Sequence, residues 1–165
     1  MIYILTGDIR TGKTSALLNW IINREDVDGL ICPDGKDRKR YFLKVKSKEE
    51  FELEVAFENN IESDKIINIG PFHFLKSAFK KANDFLISFT SENDNQYLII
   101  DELGKLELNN EGLHFSAETL IPQFLNDEKQ HLILVVRTTL LEEVVNHYHI
   151  KAYTLLTKED LETIV

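Results

Sequence analysis

Two patterns in the sequence predict an α/β fold of three layers, a mainly parallel sheet with helices on both faces. Short, wholly apolar runs of strand length recur at residues 2–5, 97–100 and 132–136, with a shorter apolar pair at 30–31. Between them lie segments whose apolar residues step by three and four, the spacing of a helix with one buried face. Strand and helix alternate in this way along the chain, which is the order a parallel sheet with helical crossovers requires. At 165 residues the chain is expected to form one domain over 1–165, with a small β-hairpin insertion at about 33–60.

The elements follow in order. The run 2–5 is a buried strand that leads directly into a glycine-bearing segment, and the next helix carries Leu17, Leu18, Ile21 and Ile22 on one face. Residues 30–31 form a second strand before Pro33. Asp34-Gly35-Lys36-Asp37 is a turn, and 41–46 a strand. Residues 51–57 alternate at period two, which favours a strand with one wet face, although Ser47 with Glu50 is also a helix-capping pattern. Asn59-Asn60 closes the insertion. A strand at 65–69 follows. Gly70-Pro71 then reads as a helix start, because Phe72, Leu75, Phe79, Ala82, Leu86 and Phe89 step by three and four. Residues 91–96 are a polar loop, and 97–100 a strand ending in Asp101-Glu102. A helix over about 115–127 and a central strand at 132–136, ended by Arg137, come next. Thr139 with Glu142, and Thr157 with Asp160, are capping-box pairs for the last two helices, on either side of a strand at 152–156.

Composition narrows the function. Apolar residues make up 43% of the chain, enough for a sizeable core, so disorder is excluded as its main state. Nineteen basic against 28 acidic side chains give a net charge of −9. That balance excludes a general binder of nucleic acid or anionic membrane, both of which need a basic face. Cys32 is the only cysteine, so there is no internal disulfide and no cysteine-based zinc site. A cytoplasmic location fits that usage. The opening apolar run is too short for a signal peptide or a membrane span.

The chemistry is concentrated in Gly7-Asp8-Ile9-Arg10-Thr11-Gly12-Lys13-Thr14, which fits G-x4-G-K-[ST], the P-loop or Walker A pattern. Triphosphate oxygens need many donors converging on one point. A glycine-bearing turn aims successive backbone N–H groups inward, and the following helix N-terminus adds its dipole. The expected nucleotide contacts are Gly7, Asp8, Ile9, Arg10, Thr11, Gly12, Lys13, Thr14 and Ser15. Lys13 reaches the β- and γ-phosphates, and the Thr14 hydroxyl binds Mg2+.

Asp101, at the carboxyl end of an apolar strand, is the matching Walker B acid and the second Mg2+ ligand. Glu102 beside it is placed to orient or activate a water for attack on the γ-phosphate. Gly104 permits a sharp turn that returns Lys105, which either stabilises γ-phosphate charge or is a surface lysine. Arg137 ends a strand, where ligands bind in such folds, so it either neutralises the γ-phosphate or makes an ordinary salt bridge. The run Lys36-Asp37-Arg38-Lys39-Arg40 reads as a solvated hairpin tip, with a nucleotide or partner contact as the alternative. The five histidines are scattered, and His147-Tyr148-His149 lacks a third ligand nearby.

These two motifs resemble those of the nucleoside-triphosphatase family called THEP1. Its second motif reads D-E-I-G-K-M-E. Asp101, Glu102, Gly104, Lys105 and Glu107 match it, with Leu103 and Leu106 as apolar exchanges. The resemblance spans essentially the whole chain. It implies hydrolysis of nucleoside triphosphates to the diphosphate and phosphate, with Mg2+ and loose base preference. It also implies one further strand between the strand of Leu5 and the strand of Ile100. The family usually has Pro-Gly where this chain has Ile9-Arg10, so if that glycine needs a positive φ, Arg10 would be strained there.

Two other readings compete. A nucleoside or nucleotide kinase usually lines its site with several arginines on a lid, whereas this chain has five in all, two of them in the basic turn. A regulatory module would use slow hydrolysis to time a protein partner. A GTPase switch would need N-K-x-D, and no such run exists.

Overall fold

The computed structural model describes residues 1–56, 62–89 and 95–164. Seven strands form the main sheet: β1 (Ile2–Gly7), β2 (Val27–Ile31), β3 (Tyr41–Lys44), β4 (Glu50–Glu52), β8 (Tyr97–Leu103), β9 (His131–Arg137) and β10 (Thr154–Leu156). A second sheet holds β5 (Glu54–Val55), β6 (Ile66–Ile69) and β7 (Phe72–Leu75). The helices are α1 (Lys13–Trp20), α2 (Lys76–Leu86), α3 (Lys105–Leu108), α4 (His114–Leu125) and α5 (Leu141–His147).

The main sheet runs β10-β1-β9-β8-β2-β3-β4. Its first five strands pair in parallel, and β3 and β4 add an antiparallel edge. The strand β9 therefore lies between the strands of Leu5 and Ile100, as the resemblance implies. Period-two alternation sorts the side chains into two layers. Leu5, Tyr97, Ile99, Ile133 and Val135 pack with Leu17, Trp20, Ile21 and Leu161 on one face. Ile4, Leu98, Ile100, Leu134 and Val136 pack with Ala82, Leu86, Ala117, Leu120 and Val144 on the other. Both faces are thus covered by helices or helical turns, which is why the central strands read as continuous apolar runs.

Several sequence expectations need correction. Ile22 is 67% exposed, because α1 ends at Trp20 and the chain turns away from the sheet. Residues 72–75 are a strand, not the first turn of a helix. Gly70 adopts φ 54 and, with Pro71, makes the two-residue turn that pairs Ile69 with Phe72. A positive φ at the first turn residue suits a tight hairpin, and it overrides the helical spacing of Phe72 and Leu75. The alternating run at 51–57 is divided at Leu53 between β4 and β5, which belong to different sheets. The second half of that run pairs with β7, beyond the expected end of the insertion at about 60. Phe57, Asn59-Asn60 and residues 91–94 of the polar loop lie outside the described residues. Thr139 does not cap a helix. A 3-10 turn over Thr138–Leu140 carries the chain into α5, so Thr139 is already inside a turn. Thr157 and Asp160 do form their capping box, with Thr157 N–H and hydroxyl donating to Asp160 Oδ2 at 2.7 and 2.8 Å. Among the described residues no helix is long and apolar enough to cross a membrane.

Candidate nucleotide site

The loop between β1 and α1 sits at the carboxyl edge of the parallel strands, where Arg137 of β9 and Asp101 and Glu102 of β8 also lie. Ile9, Arg10, Thr11, Gly12, Lys13, Thr14 and Ser15 line one cavity of about 920 Å3 together with Asp101, Glu102, Lys105 and Arg137. Gly7 and Asp8 form the root of the loop. Their carbonyls accept hydrogen bonds from Lys13 Nζ at 2.9 and 2.7 Å, so the ammonium is drawn across the loop, and Lys13 as a whole is only 9% exposed. The Thr11 hydroxyl donates to Asp8 O at 2.9 Å. Arg10 adopts φ 60, the left-handed region that disfavours a side chain.

Asp101 is 2% exposed. Its Oδ2 accepts the Thr14 hydroxyl at 3.1 Å and the Cys32 N–H at 3.2 Å. Burial pushes this carboxyl up to about 7, against the pull of the Cys32 and Thr14 hydrogen bonds and of Lys13, while the nearby Glu102 charge pushes the same way as burial. A hydroxyl and a carboxylate oxygen meeting at this distance are a hard donor pair. Mg2+ is commonly held by one or two carboxylates, with phosphate and water oxygens completing an octahedron. The residues present fit that ion, and among the described residues no cluster of three acidic, histidine or cysteine side chains offers an alternative cage.

The β8–β9 register shifts between Asp101 and Leu103, and the intervening Glu102 is the extra residue. Such an irregularity re-aims a side chain at a strand end. Glu102 Oε1 accepts the Nε–H of Arg137, and both side chains are about one-third exposed or less. The Asp101–Glu102 peptide is cis. Lys105 opens α3, is exposed, and borders the same cavity.

Three contributors were not assigned a role from the sequence. The Cys32 N–H fixes Asp101 across from Thr14, and a backbone donor leaves no side-chain signature. Lys158 Nζ donates to Thr11 O at 3.1 Å and ties the C-terminal turn to the loop. Glu107 is 4% exposed, and its carboxylate accepts the Gly104 N–H through Oε2 and the Leu113 N–H through Oε1, both at 2.8 Å. It closes the turn that follows Glu102. Burial pushes its carboxyl up to about 7. Of the two readings of the basic turn, the structure favours a contact with the site over a wholly solvated tip, since Arg38 and Arg40 line the cavity.

A parallel sheet with this loop between its first strand and first helix defines a P-loop nucleotide-binding fold. The NTPase family model matches residues 2–165, and the chain belongs to that family. Its activity class is therefore the hydrolysis of nucleoside triphosphates. The fold is similar to the crystal structure of THEP1 from the hyperthermophile Aquifex aeolicus, with a TM-score of 0.72 and 17% identity over 100% of this chain and 97% of that one. It is also similar to the solution structure of a human cancer-related nucleoside triphosphatase, with a TM-score of 0.69 and 18% identity over 99% and 94% of the two chains. No curated protein matches the chain.

Proposed function

We propose that residues 1–165 act as one cytoplasmic unit that hydrolyses nucleoside 5'-triphosphates to the diphosphate and phosphate, with Mg2+ and loose base preference. The observation that carries this reading is the Thr14–Asp101 hydrogen bond, which brings the hydroxyl of the Walker A loop onto the Walker B carboxylate at 3.1 Å. When bound there, Mg2+ would supply charge neutralisation between the β- and γ-phosphates. The loop amides and Lys13 hold the phosphate chain. Glu102 takes the proton of the attacking water, which adds to phosphorus as the bond to the β–γ bridging oxygen breaks. Arg137 and Lys105 oppose the charge gathering on the transferred group.

The test is phosphate release from ATP, GTP, CTP and UTP with Mg2+, each with and without added nucleosides. Release from all four, abolished by a chelator and indifferent to nucleosides, is the expected result. Turnover that requires an added nucleoside, with loss of the γ-phosphate to it, would overturn hydrolysis in favour of a kinase.

A further inference from the structure

The cavity is larger and chemically more varied than a triphosphate cradle. At about 920 Å3 it is near the upper end of small-molecule sites, which span roughly 300–1,000 Å3. Across the sheet, the loop stands on β1, Arg137 on β9 and the two acids on β8. Besides the loop and the acids, the lining holds the apolar Leu53, Ile69, Phe72 and Phe74, the cations Arg38 and Arg40, and Asp34 and Glu54, with Glu54 Oε2 accepting the Arg40 backbone N–H at 3.2 Å. Phosphates have no use for four apolar side chains. In the sheet order the acids of β8 stand between the loop's strand β1 and the β2–β3 side, and Arg38 and Arg40 of this annex lie in the segment that joins β2 to β3.

The charge there is unusual for this chain. Four of its five arginines line the one cavity, in a protein of net charge −9. Arg137 is committed to Glu102. Among the described residues, no carboxylate forms an ion pair with the guanidinium of Arg38 or Arg40. Arg40 instead lies over two rings, with Cζ 5.0 Å from the Phe72 centroid and 5.6 Å from that of Phe74. The two rings stand near parallel, 18° apart. A cation held on an aromatic wall presents its N–H fork and a flat apolar surface side by side.

We propose that this annex binds a second ligand, a flat aromatic organic anion, with its ring against Phe72 and its acidic group on Arg38 and Arg40. Phosphate, sulfonate or carboxylate satisfies the guanidinium chemistry alike. The site goes beyond triphosphate hydrolysis and depends on that reading only for its orientation, since the ligand occupies space that the nucleotide leaves open.

Anilinonaphthalene sulfonate supplies both a flat ring system and an anion, and its fluorescence reports binding. The intact chain is titrated with this probe alone and with Mg2+ and a non-hydrolysable ATP analogue at saturation, the analogue's own binding being measured in the same samples. One probe per chain is expected, with affinity changed no more than a few-fold by the analogue. Loss of a charge-assisted contact weakens binding roughly ten- to a hundredfold, so Arg40→Gln should weaken the probe at least about tenfold, and Phe72→Ala, which removes the ring the probe stacks on, should weaken it about two- to tenfold. Arg38→Gln, at an exposed position that does not endanger folding, should weaken it in the same direction. Lys80→Gln, on the outer face of α2, should not. Equal binding by parent and all three annex variants, no binding at all, or displacement of the probe by the analogue would each overturn the site. Failure of the analogue to bind, with the probe still sensitive to Arg38 and Arg40, would defeat the nucleotide reading and leave the annex standing.

Discussion

Arg137 donates its Nε–H to Glu102 Oε1, so the carboxylate assigned to water activation is held by the cation at the end of the neighbouring strand. The pair joins two residues 35 apart in sequence because β9 lies directly beside β8. A phosphate group is a strong competitor for a guanidinium. A γ-phosphate arriving beside β8 would therefore draw Arg137 and leave Glu102 free to accept a proton.

Glu102→Gln keeps an acceptor oxygen for Arg137 and removes the basicity. General-base assistance contributes typically about 10²–10⁴-fold, so turnover should fall by that order in a steady-state phosphate-release assay. The loop, Thr14 and Asp101 are untouched, and triphosphate affinity should stay within a few-fold. Hydrolysis near the parent rate would remove Glu102 from the role of base.

Lys13→Ala acts on binding. The ammonium is the loop's own buried cation, and charge-assisted contacts are worth roughly 1.5–3 kcal/mol, so triphosphate affinity should drop about ten- to a hundredfold. The Gly7 and Asp8 carbonyls lose a donor as well. Titration calorimetry with unchanged affinity would refute the phosphate-cradle role.

The loop, the two acids and Arg137 were legible because each sits at the end of an apolar run, and runs of that kind become adjacent parallel strands. Their mutual contacts were not legible. That Arg137 meets Glu102 depends on strand order, which the residues of either strand do not encode. The strand Phe72–Leu75 was hidden because four residues fit periods of two and of three or four equally well, and only the φ of Gly70 decides between them. Cys32 entered as an isolated thiol. What the site uses is its N–H, which any non-proline residue could supply.

The buried acid of Asp101 makes stability pH-dependent in a stated direction. Its carboxyl is raised to about 7 in the folded chain, above its ordinary value of 3.8. The folded state thus holds the proton more tightly, and this contribution to stability is present at low pH and lost as pH rises through about 7. His131, lowered by burial, acts in the opposite sense in the same range, so the parent curve alone is not diagnostic. Comparison with Asp101→Asn isolates the contribution of this carboxyl. The variant's melting temperature should gain on the parent between about pH 4 and about pH 7 and hold a constant lead above that, while its Mg2+-dependent triphosphate binding weakens. A constant gap between the two melting curves would show that Asp101 is ionised throughout.

Glu107 is the strut of the turn between Glu102 and Lys105, and two substitutions probe it from opposite sides. Glu107→Gln has the same shape, but its amide offers one oxygen where the carboxylate offered two. One of the Gly104 and Leu113 N–H groups must then face an NH2, and a buried donor left without an acceptor costs roughly 1–3 kcal/mol. Gly112→Ala leaves the carboxylate intact and crowds it. A Cβ there would lie 2.2 Å from Glu107 Oε1, at a residue with φ 62, so a side chain is opposed by both contact and backbone conformation. Backbone strain of this kind costs roughly 1–3 kcal/mol, and displacement of the carboxylate adds to it. Both variants should melt below the parent in denaturant or heat. Because Gly104 directly follows the Glu102 segment and precedes Lys105, both should also lower kcat, with triphosphate affinity within a few-fold, since among the described residues Glu107 bonds Gly104, Leu113 and Tyr148 and not the loop, Lys13, Thr14 or Asp101. Loss of stability with unchanged kcat would make Glu107 a purely structural strut. A fall in affinity equal to the fall in kcat would mean that the turn supports binding and not the reacting geometry.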